Sequence, residues 1–235
     1  MKNGILLLLL TIFISGCVEN TIEATGDNVE KISFETEDGV TIIGNYLQGN
    51  ENAVLLLHMM PSTKESWNNF AEALAKEGVS VLAIDLRGHG ESNKGMDFNL
   101  FNDEEHQASI KDVEGAVNFL KNKGATSVNI VGASIGANLA LQYQAEHEEI
   151  EKSVLMSPGL DYHGIKTEPL SQEIQETQKV FILAGTQDPD ALEAAQTLPS
   201  LIKGEKKVKT YENSAHGTDL FDIDNNLITE LINWL

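Results

Sequence analysis

Ser127-Val128-Asn129-Ile130-Val131-Gly132-Ala133-Ser134-Ile135-Gly136 is the stretch that decides how this chain folds. It opens as a β-rich run over Ser127–Val131 and continues into a helix predicted over Ile135–Glu146, rich in small residues. Between the two stands the pattern G-x-S-x-G. A serine forced onto a sharp strand-to-helix turn needs small neighbours two residues away on each side, or the two backbones collide. The turn aims the hydroxyl out of the sheet, and the helix N-terminus favours negative charge developing beside it. Alone the pattern is common; its place between strand and helix gives it meaning. The plain alternative is a serine capping a helix after a glycine-rich turn.

Outward from this point the chain alternates strands and helices. Upstream, Glu30–Thr36 and Val40–Gln48 are β-rich and joined by Glu37-Asp38-Gly39, a hairpin signal. Ala53–His58 and Val79–Ile84 are continuous apolar runs, as in strands buried on both faces. Helical spacing over Lys64–Glu77 puts Trp67, Phe70, Ala71, Leu74 and Ala75 on one face, and Gly78 ends it. A second helix is predicted over Asp103–Lys123, with Ile110, Val113, Ala116, Val117 and Leu120 inward. Downstream, Lys152–Met156, Lys179–Ala184 and Lys206–Tyr211 are strands, and Asp190–Ile202 and Leu220–Leu235 are helices. Eight strands, antiparallel at the start and then alternating with helices, predict an α/β fold with a mostly parallel sheet covered on both faces. Residues 30–235 read as one domain, without repeat or internal boundary.

Composition agrees with a globular domain. Of 235 residues, 41% are apolar and 22% charged, which excludes wholesale disorder. The formal net charge is −20, spread along the chain. Phosphate backbones repel such a surface, so nucleic acid is not an expected partner. The single cysteine, Cys17, excludes an intrachain disulfide and a Cys-rich zinc site.

A serine needs a base, and six histidines compete. His216, in Asn213-Ser214-Ala215-His216-Gly217, lies in a loop after the last strand, among small residues and downstream of the serine. His58 ends a strand, His89 lies in a glycine-rich loop and His163 in an irregular stretch. His106 and His147 are expected on solvated helix surfaces. The residue orienting the base should be a carboxylate. Asp188 follows the Lys179–Ala184 strand and falls between Ser134 and His216 in chain order. Asp190 is its rival, and a helix N-cap before Pro189 is the structural alternative for Asp188.

These residues resemble the α/β-hydrolase fold superfamily over about residues 30–235. The resemblance rests on Gly132-Ala133-Ser134-Ile135-Gly136, on Asp188 and His216 in Ser–Asp–His order, and on Asp85-Leu86-Arg87-Gly88-His89-Gly90-Glu91-Ser92, which is similar to that family's D-x-R-G-x-G-x-S loop. It implies that Ser134, Asp188 and His216 are catalytic. It also implies that Arg87, the only arginine, holds its loop by hydrogen bonds, and that His89 is structural. His58-Met59-Met60-Pro61 stands where the family has its H-G-x-P oxyanion loop, so the implied oxyanion donors are the backbone N–H groups of Met59 and Ile135. Met59 replaces the usual glycine, and its side chain is expected to crowd the acyl site. An ordinary strand exit is the other reading of this segment.

Only about twenty residues, Gly159–Gln178, separate two strands where many family members carry a helical lid. A small cap or none follows, with an open site suited to small soluble esters. The expected enzyme is a carboxylic ester hydrolase acting through an acyl-enzyme on a small-molecule ester, with no metal or organic cofactor. A peptidase, thioesterase or lactonase with the same triad stays open, as does a surface lipoprotein that only binds; oligomeric state is left open.

The N-terminus carries its own signal. Lys2 is followed by an apolar run from Ile5 to Ile14, interrupted only by Thr11, and then by Ser15-Gly16-Cys17. This reads as a signal peptide over residues 1–16, too short for a comfortable bilayer span of about 20 residues. Ile14-Ser15-Gly16-Cys17 resembles the lipobox of prokaryotic lipoproteins, which implies lipidation of Cys17 and an extracytoplasmic protein held to the membrane by its lipid. Residues 17–29 then form a tether.

Overall fold

A computed structural model describes residues 29–235. The proposed signal peptide, Cys17 and the tether up to residue 28 lie outside the described residues. In chain order the elements are β1 (Val29–Glu35), β2 (Thr41–Leu47), β3 (Asn52–Leu57), α1 (Asn68–Lys76), β4 (Ser80–Ile84), α2 (Asp103–Gln107), α3 (Ile110–Asn122), β5 (Ser127–Ala133), α4 (Ile135–Glu146), β6 (Lys152–Met156), β7 (Asp161–Tyr162), β8 (Ile165–Lys166), α5 (Thr167–Glu173), β9 (Lys179–Gly185), α6 (Pro189–Thr197), β10 (Glu205–Tyr211), α7 (Leu220–Ile223) and α8 (Leu227–Trp234).

Eight strands form one sheet in the order β1-β2-β4-β3-β5-β6-β9-β10. β1 pairs antiparallel with β2 and β2 with β4; from β4 to β10 every pairing is parallel. Alternating side chains divide between the two faces. Leu55 and Leu57 of β3 and Val180 and Ile182 of β9 join Val113, Val117 and Leu139 of α3 and α4. Val54 and Leu56, with Phe181 and Leu183, join Phe70 and Leu74 of α1 and Leu227 and Leu231 of α8. A buried side chain of this size is worth ~1.5–3 kcal/mol, which is why central strands read as unbroken apolar runs.

The predicted helices exist but are more finely divided. The helix expected over residues 103–123 is two: Asn102 and Glu105 form a reciprocal capping box that starts α2, and the chain restarts at Ile110 as α3. The last helix breaks at Asp224, whose carboxylate accepts the Asn226 N–H at 2.9 Å before α8 begins. The cap is small: the hairpin β7–β8 and the seven-residue α5.

Parallel pairing puts the C-terminal ends of β3, β4, β5, β6, β9 and β10 on one edge of the sheet. Leu57 aligns with Gly132, Ala133 with Met156, Met156 with Leu183, and Gly185 with Tyr211. The loops leaving that edge carry His58, Asp85, Ser134, Ser157, Asp188 and His216.

Candidate active site

Ser134 joins β5 directly to α4 with φ 54° and ψ −121°. That conformation costs a non-glycine residue ~1–3 kcal/mol, and Ser134 makes no side-chain cap bond to the helix it precedes. The flanking glycines show why it is tolerated. A Cβ on Gly132 would lie 2.0 Å from the Gly136 carbonyl oxygen, and one on Gly136 would lie 2.4 Å from that of Leu57. Strand, turn and helix therefore touch backbone to backbone, and the exit of β3 is drawn against the start of α4.

Asp188 is the N-cap residue of α6, with Pro189 in the first turn, but its side chain makes no cap bond. Its Oδ2 lies 2.5 Å from Nδ1 of His216. Asp190, in the first turn of α6, is exposed. The Asp188 side chain is 12% exposed and that of His216 33%, so the pair sits half-sheltered at the rim.

The backbone around His216 is held from both sides. Its carbonyl accepts the Asp219 N–H at 3.1 Å, and the Gly217 N–H donates to Ser157 Oγ at 2.9 Å. Gly217 has φ 57°. A Cβ there would lie 2.5 Å from Met59 Sδ and 3.2 Å from Ala133 Cβ, so the Ser134 turn, the His216 loop and the segment after His58 meet at this glycine. The Met59 side chain thus packs on the histidine loop.

His58 is fully buried. Its Nε2 accepts the Leu86 N–H at 3.0 Å, which leaves Nδ1–H to donate to the Met59 carbonyl at 3.0 Å. Burial, helped by the neighbouring His89, lowers its pKa to about 4, so the ring is neutral and fixes the peptide after Met59. The Ile135 N–H is the first of α4 and has no partner within its helix.

The Asp85–Ser92 loop is a scaffold. Asp85 accepts the Lys64 N–H and its Nζ at 2.8 Å and the Glu91 N–H at 2.9 Å. Lys64 is 2% exposed. Burial pushes it down, but bonds to Asp85, Glu65 and Glu91 outweigh this and hold it above the usual lysine range. Arg87 donates through N, Nε and Nη2 to Asp112 and through Nη1 and Nη2 to Asp38. His89 stacks on Phe98 at 4.0 Å, buried within this scaffold.

The other histidines lie elsewhere. His106 is 4% exposed, not on a solvated surface as expected: the hairpin residue His163 stacks on it at 3.8 Å. His147 is half-buried and stacks on Tyr143 at 3.9 Å.

Several residues of the site escaped the sequence reading. Asn138, one turn after Ser134 on α4, is fully buried and clamps the cap: its Nδ2 donates to the carbonyls of Gly159 and Ile165 at 3.1 and 2.9 Å, and its Oδ1 accepts the Gly159 N–H. The clamped segment carries Tyr162, which lies near Ser134. Burial pushes the Tyr162 phenol up to about 12, with Asp188 adding to the rise. A polar side chain at Ser134 plus four, inside an otherwise small and apolar helix face, was the available signal for Asn138.

Among the described residues, no group of three or more His, Cys, Asp or Glu side chains is arranged to hold a metal, and no helix is long and apolar enough to cross a membrane.

A parallel sheet with a strained serine at one strand exit and a carboxylate–histidine pair at two others defines the architecture. The chain belongs to the alpha/beta hydrolase fold family, whose profile matches residues 52–172. It is 26% identical over 156 residues to the AB hydrolase superfamily protein YisY of Bacillus subtilis, covering 60% of this chain and 53% of that one. It is 30% identical over 120 residues to the thermostable monoacylglycerol lipase of Bacillus sp. (strain H-257), covering 51% of this chain and 46% of the lipase. The matches thus span about half the length of these relatives. The Pyrococcus furiosus esterase Pf2001 superposes with a TM-score of 0.71 at 20% identity, covering 88% of this chain and 89% of the esterase, a likeness of fold.

Proposed function

We propose that this chain is a serine hydrolase of carboxylic esters with small acyl groups, working through Ser134, His216 and Asp188. The observation that carries the reading is the Asp188 carboxylate on His216 Nδ1 at 2.5 Å. A proton held at Nδ1 leaves the Nε2 lone pair to take the proton of Ser134 Oγ as it attacks the acyl carbon. The Met59 and Ile135 N–H groups face the developing oxyanion, a contribution of ~3–4 kcal/mol per donor in hydrolases where one has been removed. His216 returns the proton to the leaving alkoxide, the C–O bond breaks, and an acyl-serine remains. Water, deprotonated by the same Nε2, then releases the carboxylic acid and restores Ser134. Esterase and lipase names among the similar proteins support an ester substrate, and the small cap supports a short one.

Fluorophosphonate labelling followed by p-nitrophenyl esters of rising chain length tests this. Ser134 alone should be labelled, Ser134→Ala should stay folded without turnover, and rates should fall as the acyl chain lengthens. Full esterase activity in Ser134→Ala ends the assignment.

The same proposal places the enzyme outside the cytoplasm, tethered by lipid on Cys17. Mass spectrometry of the native N-terminus should find a lipid adduct on Cys17, and Cys17→Ser should release the protein from the membrane fraction. Unmodified Met1 in a cytoplasmic fraction overturns it.

A further inference from the structure

Ser134 has a counterpart on the neighbouring strand. β5 and β6 pair in parallel with Ala133 opposite Met156, so the residues that follow them, Ser134 and Ser157, leave the sheet side by side. Both have φ 54°. Ser134 is half-buried, whereas Ser157 is fully buried and cannot meet substrate. A positive φ on a non-glycine residue persists only where the surroundings enforce it. At Ser157 they do so through two bonds. Its N–H donates to the Leu183 carbonyl at 2.7 Å, and its Oγ accepts the Gly217 N–H at 2.9 Å. The second bond grips the peptide that follows His216.

We infer that Ser157 is a positioning residue for the proposed base: its hydroxyl, acting through the Gly217 amide, fixes the backbone from which His216 reaches Ser134. The inference rests on the triad reading above. Asp188 holds the imidazole ring at Nδ1, which leaves rotation and translation of the loop itself undetermined. The His216–Gly217 peptide removes that freedom. Its oxygen accepts the Asp219 N–H, its N–H is held by Ser157, and Gly217 is pressed between Met59 Sδ and Ala133 Cβ. The first of these restraints ties His216 to its own loop, and the third packs it on Met59 and on Ala133 at the end of β5. The Ser157 bond is the one hydrogen bond of the three that reaches a neighbouring strand exit, so it helps set the distance between base and nucleophile across the β5–β6 pair.

The test compares Ser157→Gly with Ser157→Cys. Glycine adopts φ 54° without strain, so the Gly variant loses the acceptor while relieving the backbone. Cysteine keeps the side-chain shape and swaps the oxygen for a weak acceptor. In Ser157→Gly, kcat for a p-nitrophenyl ester should fall ~10–100-fold, as for a catalytic group displaced by about an ångström. KM should stay within a factor of about two, because substrate contacts are untouched. The rate at which a fluorophosphonate labels Ser134 should fall in parallel, and Ser157→Cys should lie between the Gly variant and wild type. Circular dichroism melts check that both variants are folded at the assay temperature; should the Gly variant not fold, the Cys variant alone decides. A folded variant with wild-type kcat and labelling rate overturns the inference, and so does a loss confined to melting temperature. Ser134→Ala runs alongside: turnover surviving in it would sink the triad reading, whatever Ser157 does.

Discussion

The Met59 thioether fills the space that a Cβ on Gly217 would need, with 2.5 Å between the sulfur and the ideal Cβ position. One contact therefore joins the segment after His58 to the His216 loop. A methionine at 59 is compatible with the site only because residue 217 has no side chain, and residue 217 also needs φ 57°.

Gly217→Ala should accordingly lose stability by about 1–3 kcal/mol, from strain and overpacking together. Met59→Ala keeps the backbone N–H and opens the occupied space, so the double variant should recover the overpacking part but not the strain. Urea unfolding of all four proteins reads the coupling. If the two effects simply add, within ~0.5 kcal/mol, the contact is not the source of the cost.

Asp188 and Asp190 are two residues apart, and only Asp188 touches His216. Asp188→Asn should lower kcat by about 10⁴-fold, since an amide can favour the wrong imidazole tautomer. Asp190→Asn should leave kcat within a factor of about two. His216→Ala should lose several orders of magnitude in turnover, and His147→Ala almost nothing. His106→Ala should reduce stability rather than kcat, because His106 packs beneath His163. Steady-state kinetics with parallel melts separate these outcomes; a crippled Asp190→Asn with an active Asp188→Asn would move the acid by two residues.

Burial lowers the pKa of His58 to about 4, below the value near 6.5 that it takes when the chain unfolds. The unfolded chain therefore binds a proton at higher pH than the folded one. Stability is whole above pH 6.5 and falls as pH drops from there toward 4, by up to about 3 kcal/mol from this group. Burial likewise lowers His89 and His106, with the same sign. Asp112 acts in the opposite sense: burial, against the pull of Arg87, raises it to about 6, so its contribution fades as pH rises from about 4 to 6. Comparing wild type with His58→Gln isolates the first term. The slope of unfolding free energy between pH 4.5 and 6.5, read by urea titration, should be shallower in the variant. Equal slopes would mean that His58 titrates alike in both states.

Much of this arrangement was legible along the chain because its determinants are local. G-x-S-x-G between a strand run and a helix run marks the turn at Ser134 before any tertiary contact is known, since two adjoining backbones demand glycine at 132 and 136. Apolar runs mark the buried strands, and loops that follow successive strands place Asp188 and His216 at the same edge. The resemblance of Asp85–Ser92 to a scaffold loop anticipated Arg87 bonding within it, and Asp112 and Asp38 supply its partners.

What the linear pattern left open depends on which loops become neighbours. Lys64 opens a predicted helix as an ordinary polar residue; it is buried because β4 lies beside β3 and brings Asp85 under it. His106 has the spacing of a surface residue, and the cap hairpin covers it. Asn138 is one polar side chain on a helix until the chain from Gly159 to Ile165 folds over it. Ser157 follows a strand like any other serine until Gly217 arrives from β10. Turn chemistry and hydrophobic period act over a few residues, so the sequence by itself determined the eight strands of the main sheet, the main helical segments and the turn at Ser134, but not the cap hairpin β7–β8, α5 or the breaks within two helical segments. Sheet order and the packing of loops across one edge arise from pairings far apart in the chain, and these alone decided which acid meets which base and what holds them there.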